Sequence, residues 1–144
     1  MASSFVKFKG KGFWSRDGNL EDWLLCLVDT VDSVPAADTW LNAAREHWRA
    51  QATAGMTGCI DVKLDEVIQG DDGRQAALLE IAETALRRLE AGQFSLTTNP
   101  SGFARVDESV RDYVLGVADL WVKLLKGELE TDVSSPRTIV SVRT

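Results

Sequence analysis

The chain has 144 residues and a formal net charge of −6, with 44% hydrophobic and 26% charged residues, the length and balance of one globular domain. The acidic balance argues against a general nucleic-acid binder, which needs a basic surface, and favours a basic partner. We see neither a membrane-spanning apolar run nor the apolar core of a secretory signal, so we expect a cytoplasmic protein without a membrane partner.

The first notable stretch is "KFKGKGFWSR", residues 7–16, in which four basic residues surround a Gly-x-Gly. It lacks the glycine spacing and the following Ser or Thr that a phosphate-binding loop requires. We therefore predict a flexible N-terminal segment with solvated lysines. We expect its Phe13 and Trp14 side chains to close one end of a helical bundle.

Apolar residues at helical spacing predict the first helix from about Leu20 to Val31, with Asn19 as its N-cap. The second helix is predicted to begin after a cap at Asp38 and to end near Gly55. Four of the five tryptophans fall on the apolar faces of predicted helices, so we expect these four to belong to the core.

The segment "GCIDVKLDEVIQG" begins with the alternation of a strand, but "KLDEVI" is more typical of a short helix between Gly58 and Gly70. The next long helix is predicted from a cap at Asp71 or Asp72 to a stop at Gly92, with two arginines near its C-terminal end.

The last long helix is predicted from about Asp107 to Gly127. These elements together predict an all-α fold, a single domain over residues 1–144 with four long helices and one short one. The final segment, residues 131–144, has a strand-like composition without a neighbouring strand, so we expect a loosely held tail.

Few residues suggest catalysis or metal binding. The single histidine, His47, leaves little room for His-based zinc sites or catalytic triads. Cys26 and Cys59 lie in apolar contexts without metal-ligand spacing, and we expect both to be buried, reduced thiols. The sequence therefore predicts no cofactor, no metal and no catalytic residue.

One enzymatic alternative remains. The carboxylates Glu80, Glu83, Glu108 and Asp112 resemble the ExxE…ExxD pattern of all-α nucleoside triphosphate pyrophosphohydrolases, which hold magnesium, although the second pair is one residue too far apart. A helical wheel places both pairs on outer faces, where a solvated charged surface is the alternative.

The first helix also predicts a partner-binding face. Opposite its apolar stripe, acidic residues surround one leucine, an arrangement that can steer a basic partner and anchor it; an ordinary solvated face is the alternative. The residues of this face are Glu21, Asp22, Leu25, Asp29 and Asp32. A second choice is the later acidic run: Asp61, Asp65, Glu66, Asp71 and Asp72.

Four segments together resemble a known family: "GKGFWSRDGNLEDWLLCLV", "WLNAAREHW", "GCIDVKLDEVI…RQAALLEIAETALRRL" and "LWVKLLKGEL". They are similar to small bacterial immunity proteins of contact-dependent growth inhibition and related polymorphic toxin systems. The resemblance implies a cytoplasmic protein that binds and neutralises a cognate toxin domain, commonly a nuclease. We expect a monomer with a basic toxin as partner; a self-associating adaptor bundle is a further alternative.

Overall fold

The structure, a computed structural model, describes residues 2–54, 58–94 and 108–129, and it describes the side chains of the last helix from residue 111. Two strands and five helices follow one another in these residues. They are β1 (Ser3–Phe8), β2 (Lys11–Arg16), α1 (Asp17–Asp32), α2 (Thr39–Thr53), α3 (Leu64–Ile68), α4 (Asp72–Glu90) and α5 (Glu108–Lys126). The fold is therefore mixed, and the prediction of an all-α fold is wrong. The predicted tail, residues 131–144, lies outside the described residues.

The N-terminal segment that was predicted to be flexible forms an antiparallel hairpin, in which Phe5 pairs with Trp14. Lys9 and Gly10 form the two-residue turn, with φ angles of 52° and 80°. Two positive φ angles are typical of the type I′ turn, whose twist matches that of the two strands. This turn therefore closes a regular hairpin, and the segment is not the flexible one that the sequence predicts.

The two faces of the hairpin differ in burial. Val6, Phe8 and Phe13 are buried on the inner face, whereas Trp14 is 44% exposed on the outer face. Phe13 thus enters the core as predicted, and Trp14 does not. On the outer face the Phe5 ring covers Gly12, where a Cβ atom would overlap both that ring and the Val6 carbonyl oxygen.

The start of α1 also differs from the prediction. The helix begins at Asp17, three residues before Leu20, because the chain passes directly from β2 into the helix. Asn19 is therefore a buried residue of the first turn and not the cap. The short helix predicted in "KLDEVI" is confirmed as α3, and Asp71 caps α4 by accepting a 3.0 Å hydrogen bond from the Arg74 N–H.

The core is one cluster around α1, which packs against α2, α4 and α5. Trp121 makes edge-to-face contacts with Trp23 and Trp48, with ring centroids 6.2 and 5.9 Å apart. Such pairs stabilise a core by about 1 kcal/mol beyond the burial of their area. The tryptophans therefore join three helices, while Trp40 is only half-buried.

Two side-chain contacts relate α4 to α1 and α5. Near the end of α4, Arg88 donates to Asp29 near the end of α1, so the C-terminal ends of these two helices lie close together. Near the start of α4, Gln75 donates to the Leu125 carbonyl near the end of α5. The last helix therefore runs antiparallel to α4.

A buried polar network joins the hairpin to the helices. Asp17, 9% exposed, accepts hydrogen bonds from the Ser4 hydroxyl at 2.7 Å and from the Gly58 N–H at 2.6 Å. The same Ser4 oxygen accepts a 3.0 Å bond from the Ile60 N–H. Because each of these buried groups is paired, the network fixes the hairpin against both α1 and the segment that leads into α3.

Candidate partner-binding surface

The acidic face predicted on α1 is only partly available to a partner. Asp22 is 6% exposed, and its carboxylate has no hydrogen-bond partner among the described residues. Glu21 and Leu25 are half-buried, and Leu25 packs against the core. The helical wheel placed these residues opposite the main apolar stripe, but neighbouring helices cover more of α1 than a single stripe.

Burial also changes the ionisation of this face. Desolvation, with a smaller contribution from the neighbouring Glu21 charge, raises the pKa of Asp22 from its ordinary value of 3.8 to about 7. Desolvation and then the Asp17 charge raise the pKa of Glu21. At neutral pH the middle of the predicted face therefore carries less negative charge than its sequence implies.

The remaining acids of α1 are paired within the chain. Asp29 binds Arg88 with an N–O distance of 2.7 Å. Asp32 binds Arg45 and Arg49 at 3.1 and 3.4 Å. Both carboxylates are about half exposed, yet the arginines offset their charge, which weakens long-range attraction of a basic partner.

The second acidic run is more accessible. Residues 61–72 carry five carboxylates and one lysine. Asp61, Glu66, Asp71 and Asp72 are exposed, and Asp65 is half-buried where it accepts a hydrogen bond from the Lys9 N–H. None of the five forms an ion pair within the described ranges. Their negative charge is therefore not offset by paired cations.

An exposed aromatic pair lies beside this run. The ring centroids of Phe5 and Trp14 are 5.1 Å apart. Phe5 is 37% exposed and Trp14 is 44% exposed. A small cavity of about 30 Å³ joins the hairpin to the acidic run, and it is lined by Phe5, Lys7 and residues 61–66. We call the set Phe5, Trp14, Asp61, Asp65 and Glu66 the hairpin–α3 surface.

Sequence reasoning missed the aromatic part of this surface. The signal was present: in β1 and β2, residues alternate between inner and outer faces on both sides of a two-residue turn that contains glycine. An aromatic residue on the outer face of each strand interrupts the simple alternation of apolar and polar residues, so the sequence predicts that Trp14 closes one end of the bundle.

The carboxylates of the enzymatic alternative have other partners or positions. Glu83 binds Lys126 at 3.5 Å, and Asp112 lies fourteen residues before Lys126, about 21 Å along the helix axis. Carboxylate ligands of one ion lie within about 5 Å of one another. The structure does not describe the Glu108 side chain. Among the residues that it does describe, no group of three or more His, Cys, Asp or Glu residues could hold a metal ion.

The two cysteines differ from each other. Cys26 is buried, as predicted, whereas Cys59 is exposed, contrary to the prediction, and both are free thiols. Burial, and then the charges of Asp22 and Asp29, raise the pKa of the Cys26 thiol. A thiol with a raised pKa is a weak nucleophile, so Cys26 is a packing residue.

Comparison of the chain with protein-family models, curated proteins and solved structures finds no match. The resemblance to immunity proteins therefore stays a prediction. Among the helices of the described ranges, none combines the length and the apolar character that crossing a bilayer requires.

Proposed function

We propose that this chain is an immunity protein that binds and neutralises a basic toxin domain in the cytoplasm, as a monomer and without a cofactor. The observation that carries the proposal is the hairpin–α3 surface, where two exposed aromatic rings in tilted contact border carboxylates that form no ion pair with the described residues. Protein interfaces are enriched in aromatic residues at their centre and have a polar rim. This surface combines an apolar anchor with negative charge, which attracts a basic nuclease domain.

The charge distribution favours the hairpin–α3 surface over α1 as the binding face. The exposed acids of α1 are paired with arginines, whereas those of residues 61–72 form no ion pair within the part of the chain that the structure describes. Unpaired charge produces the long-range field that accelerates association, by roughly ten- to a thousandfold in well-steered complexes. We therefore assign the steering role to the later acidic run and the anchoring role to Phe5 and Trp14.

The first test asks whether the chain neutralises a toxin. We expect a toxin gene directly upstream of this gene, and expression of its C-terminal domain alone should arrest growth. Co-expression of the chain should restore growth, and the two proteins should copurify as a complex of one copy each. Growth arrest that persists despite soluble, folded chain would contradict the proposed function.

The second test locates the anchor. Trp14→Ala should weaken toxin binding by roughly thirtyfold, because loss of an interface anchor costs about 2 kcal/mol. Tyr113→Ala is the matched control, since Tyr113 is also 44% exposed but lies on α5. Calorimetric titration measures both affinities. Equal affinities of the two variants would show that the hairpin is not the anchor.

The third test locates the steering charge. A triple variant, Asp61→Asn, Glu66→Gln and Asp72→Asn, should lower the association rate and reduce its dependence on salt. The control variant, Asp29→Asn with Asp32→Asn, removes paired carboxylates and should leave the association rate nearly unchanged while lowering stability. Stopped-flow measurements at several ionic strengths distinguish the two. A slower association in the control alone would return the steering role to α1.

A further inference from the structure

A groove between α2 and α3 forms a cavity with a volume of about 290 Å³. Its walls are mostly apolar, and Trp40 and Ala43 of α2 face Val67 of α3 across it. Small-molecule sites are typically concave and apolar, with a few polar groups that orient the ligand. A cavity of this volume is at the small end of that range and suits a ligand of about ten to fifteen heavy atoms.

Two of the three charged residues of the groove are cationic, although the chain as a whole is acidic. Lys63 and Arg74 line it together with one carboxylate, Glu66. None of these three forms an ion pair within residues 2–54, 58–94 and 108–129. Two cations without paired carboxylates beside one apolar cavity complement an anion with an apolar body.

Arg74 is held in a position to orient such a ligand. Its guanidinium lies 5.1 Å from the centre of the Trp40 ring and donates a 3.0 Å hydrogen bond to the Val67 carbonyl. The other N–H groups of the guanidinium remain available for a carboxylate, because the group has five in a fixed plane. The sole histidine, His47, also lines the groove, and its Nε2 donates to the Asp61 carbonyl at 2.6 Å.

The backbone beside the groove is strained. Lys63 and Gln69, at the two ends of α3, both have a φ of 53° and both line the cavity. Left-handed conformations at residues other than glycine are uncommon, and here they bound the short helix α3, which forms one wall of the groove.

We propose that the α2–α3 groove binds a small aromatic carboxylate from solution, with the ring on the apolar walls and the carboxylate on Arg74 and Lys63. Glu66 also lines the groove, and its negative charge opposes the binding of an anion there. The groove shares Glu66 with the hairpin–α3 surface, but its ligand binding can be tested on the free chain without a toxin.

The probe is indole-3-acetate, titrated into isotopically labelled chain and followed by the NMR signals of the Trp40 indole N–H and the Arg74 side-chain N–H. A ligand of this size in an open site should bind with a Kd on the order of 1 mM. Its neutral analogue, indole-3-acetamide, should bind at least about fivefold more weakly, because it lacks the charge that strengthens the bond to arginine. Equal binding of acid and amide would overturn the proposal, as would saturation of signals away from the groove.

Variants test the roles of the individual residues. Arg74→Gln should weaken indole-3-acetate roughly tenfold or more, whereas Arg87→Gln, which removes an exposed arginine of the same helix, should have no effect. Glu66→Gln should strengthen binding about two- to threefold by removing a repulsive charge. Ala43→Leu should abolish binding by filling the cavity. Weaker binding after Glu66→Gln would mean that the site prefers a zwitterion and would overturn the proposed ligand class.

Discussion

Replacing Asp22 by Asn should make the stability of the chain much less dependent on pH. Asp22 is 6% exposed, and burial with the adjacent Glu21 charge raises the pKa of its carboxyl from 3.8 to about 7. The folded state therefore binds more protons than the unfolded state between these two values. Its contribution to stability is fully present below pH 3.8, falls as the pH rises and is lost above pH 7.

The size of the effect follows from the pKa difference. A folded pKa about three above the unfolded value corresponds to about 4 kcal/mol of stability lost between pH 4 and pH 8. Asn has nearly the same shape as a protonated Asp but cannot ionise. We therefore expect similar stabilities of the two proteins at pH 4, and a variant more stable than the native chain by up to about 4 kcal/mol at pH 8.

Urea unfolding followed by tryptophan fluorescence, repeated from pH 4 to pH 8, measures this difference. Asp112→Asn is the control, because Asp112 is exposed on α5 and its replacement should leave the pH profile unchanged. If the free energies of unfolding of the native chain and of Asp22→Asn run parallel across this range, Asp22 ionises normally and the reasoning from burial is refuted.

Two further comparisons test the fold. Gly12→Ala should lower stability by about 1–3 kcal/mol, because the added methyl group would overlap the Phe5 ring. In Gly18→Ala the added methyl group meets nothing within 4 Å, so this variant should be neutral or stabilising. Thermal unfolding followed by circular dichroism measures both stabilities. Asp71→Ala should lower the free energy of unfolding in urea by about 1 kcal/mol, because the Asp71 side chain caps α4. Asp38→Ala should lower it by less, because the Asp38 side chain makes no capping hydrogen bond to α2. Equal losses in the two variants would contradict the assigned caps.

The helices were predictable from sequence because their apolar residues repeat at helical spacing over long segments. The hairpin was not, since each strand has only six residues and presents an aromatic ring to solvent. Its turn also uses Lys-Gly in place of the common Asn-Gly or Asp-Gly. The strand signal was therefore weaker than the helical signal that followed it.

The candidate site was predictable only in part. The later acidic run was found from its composition, and four of its five residues are exposed as a binding role requires. The pairing of Asp29 and Asp32 depends on arginines that lie far away in sequence, which a helical wheel cannot show. Removal of the Asp29 and Asp32 carboxylates should therefore lower stability.

The buried network at Asp17 has a consequence for the entropy of association. The hairpin, α1 and the segment before α3 are joined through Ser4, Asp17, Gly58 and Ile60. Phe5 and Trp14 therefore project from a scaffold whose backbone is ordered before any partner arrives. Ordering flexible loops and side chains on binding costs free energy that subtracts directly from affinity. A preorganised hairpin avoids most of this cost, so a surface of only two aromatic rings can contribute more to affinity than its area alone would suggest.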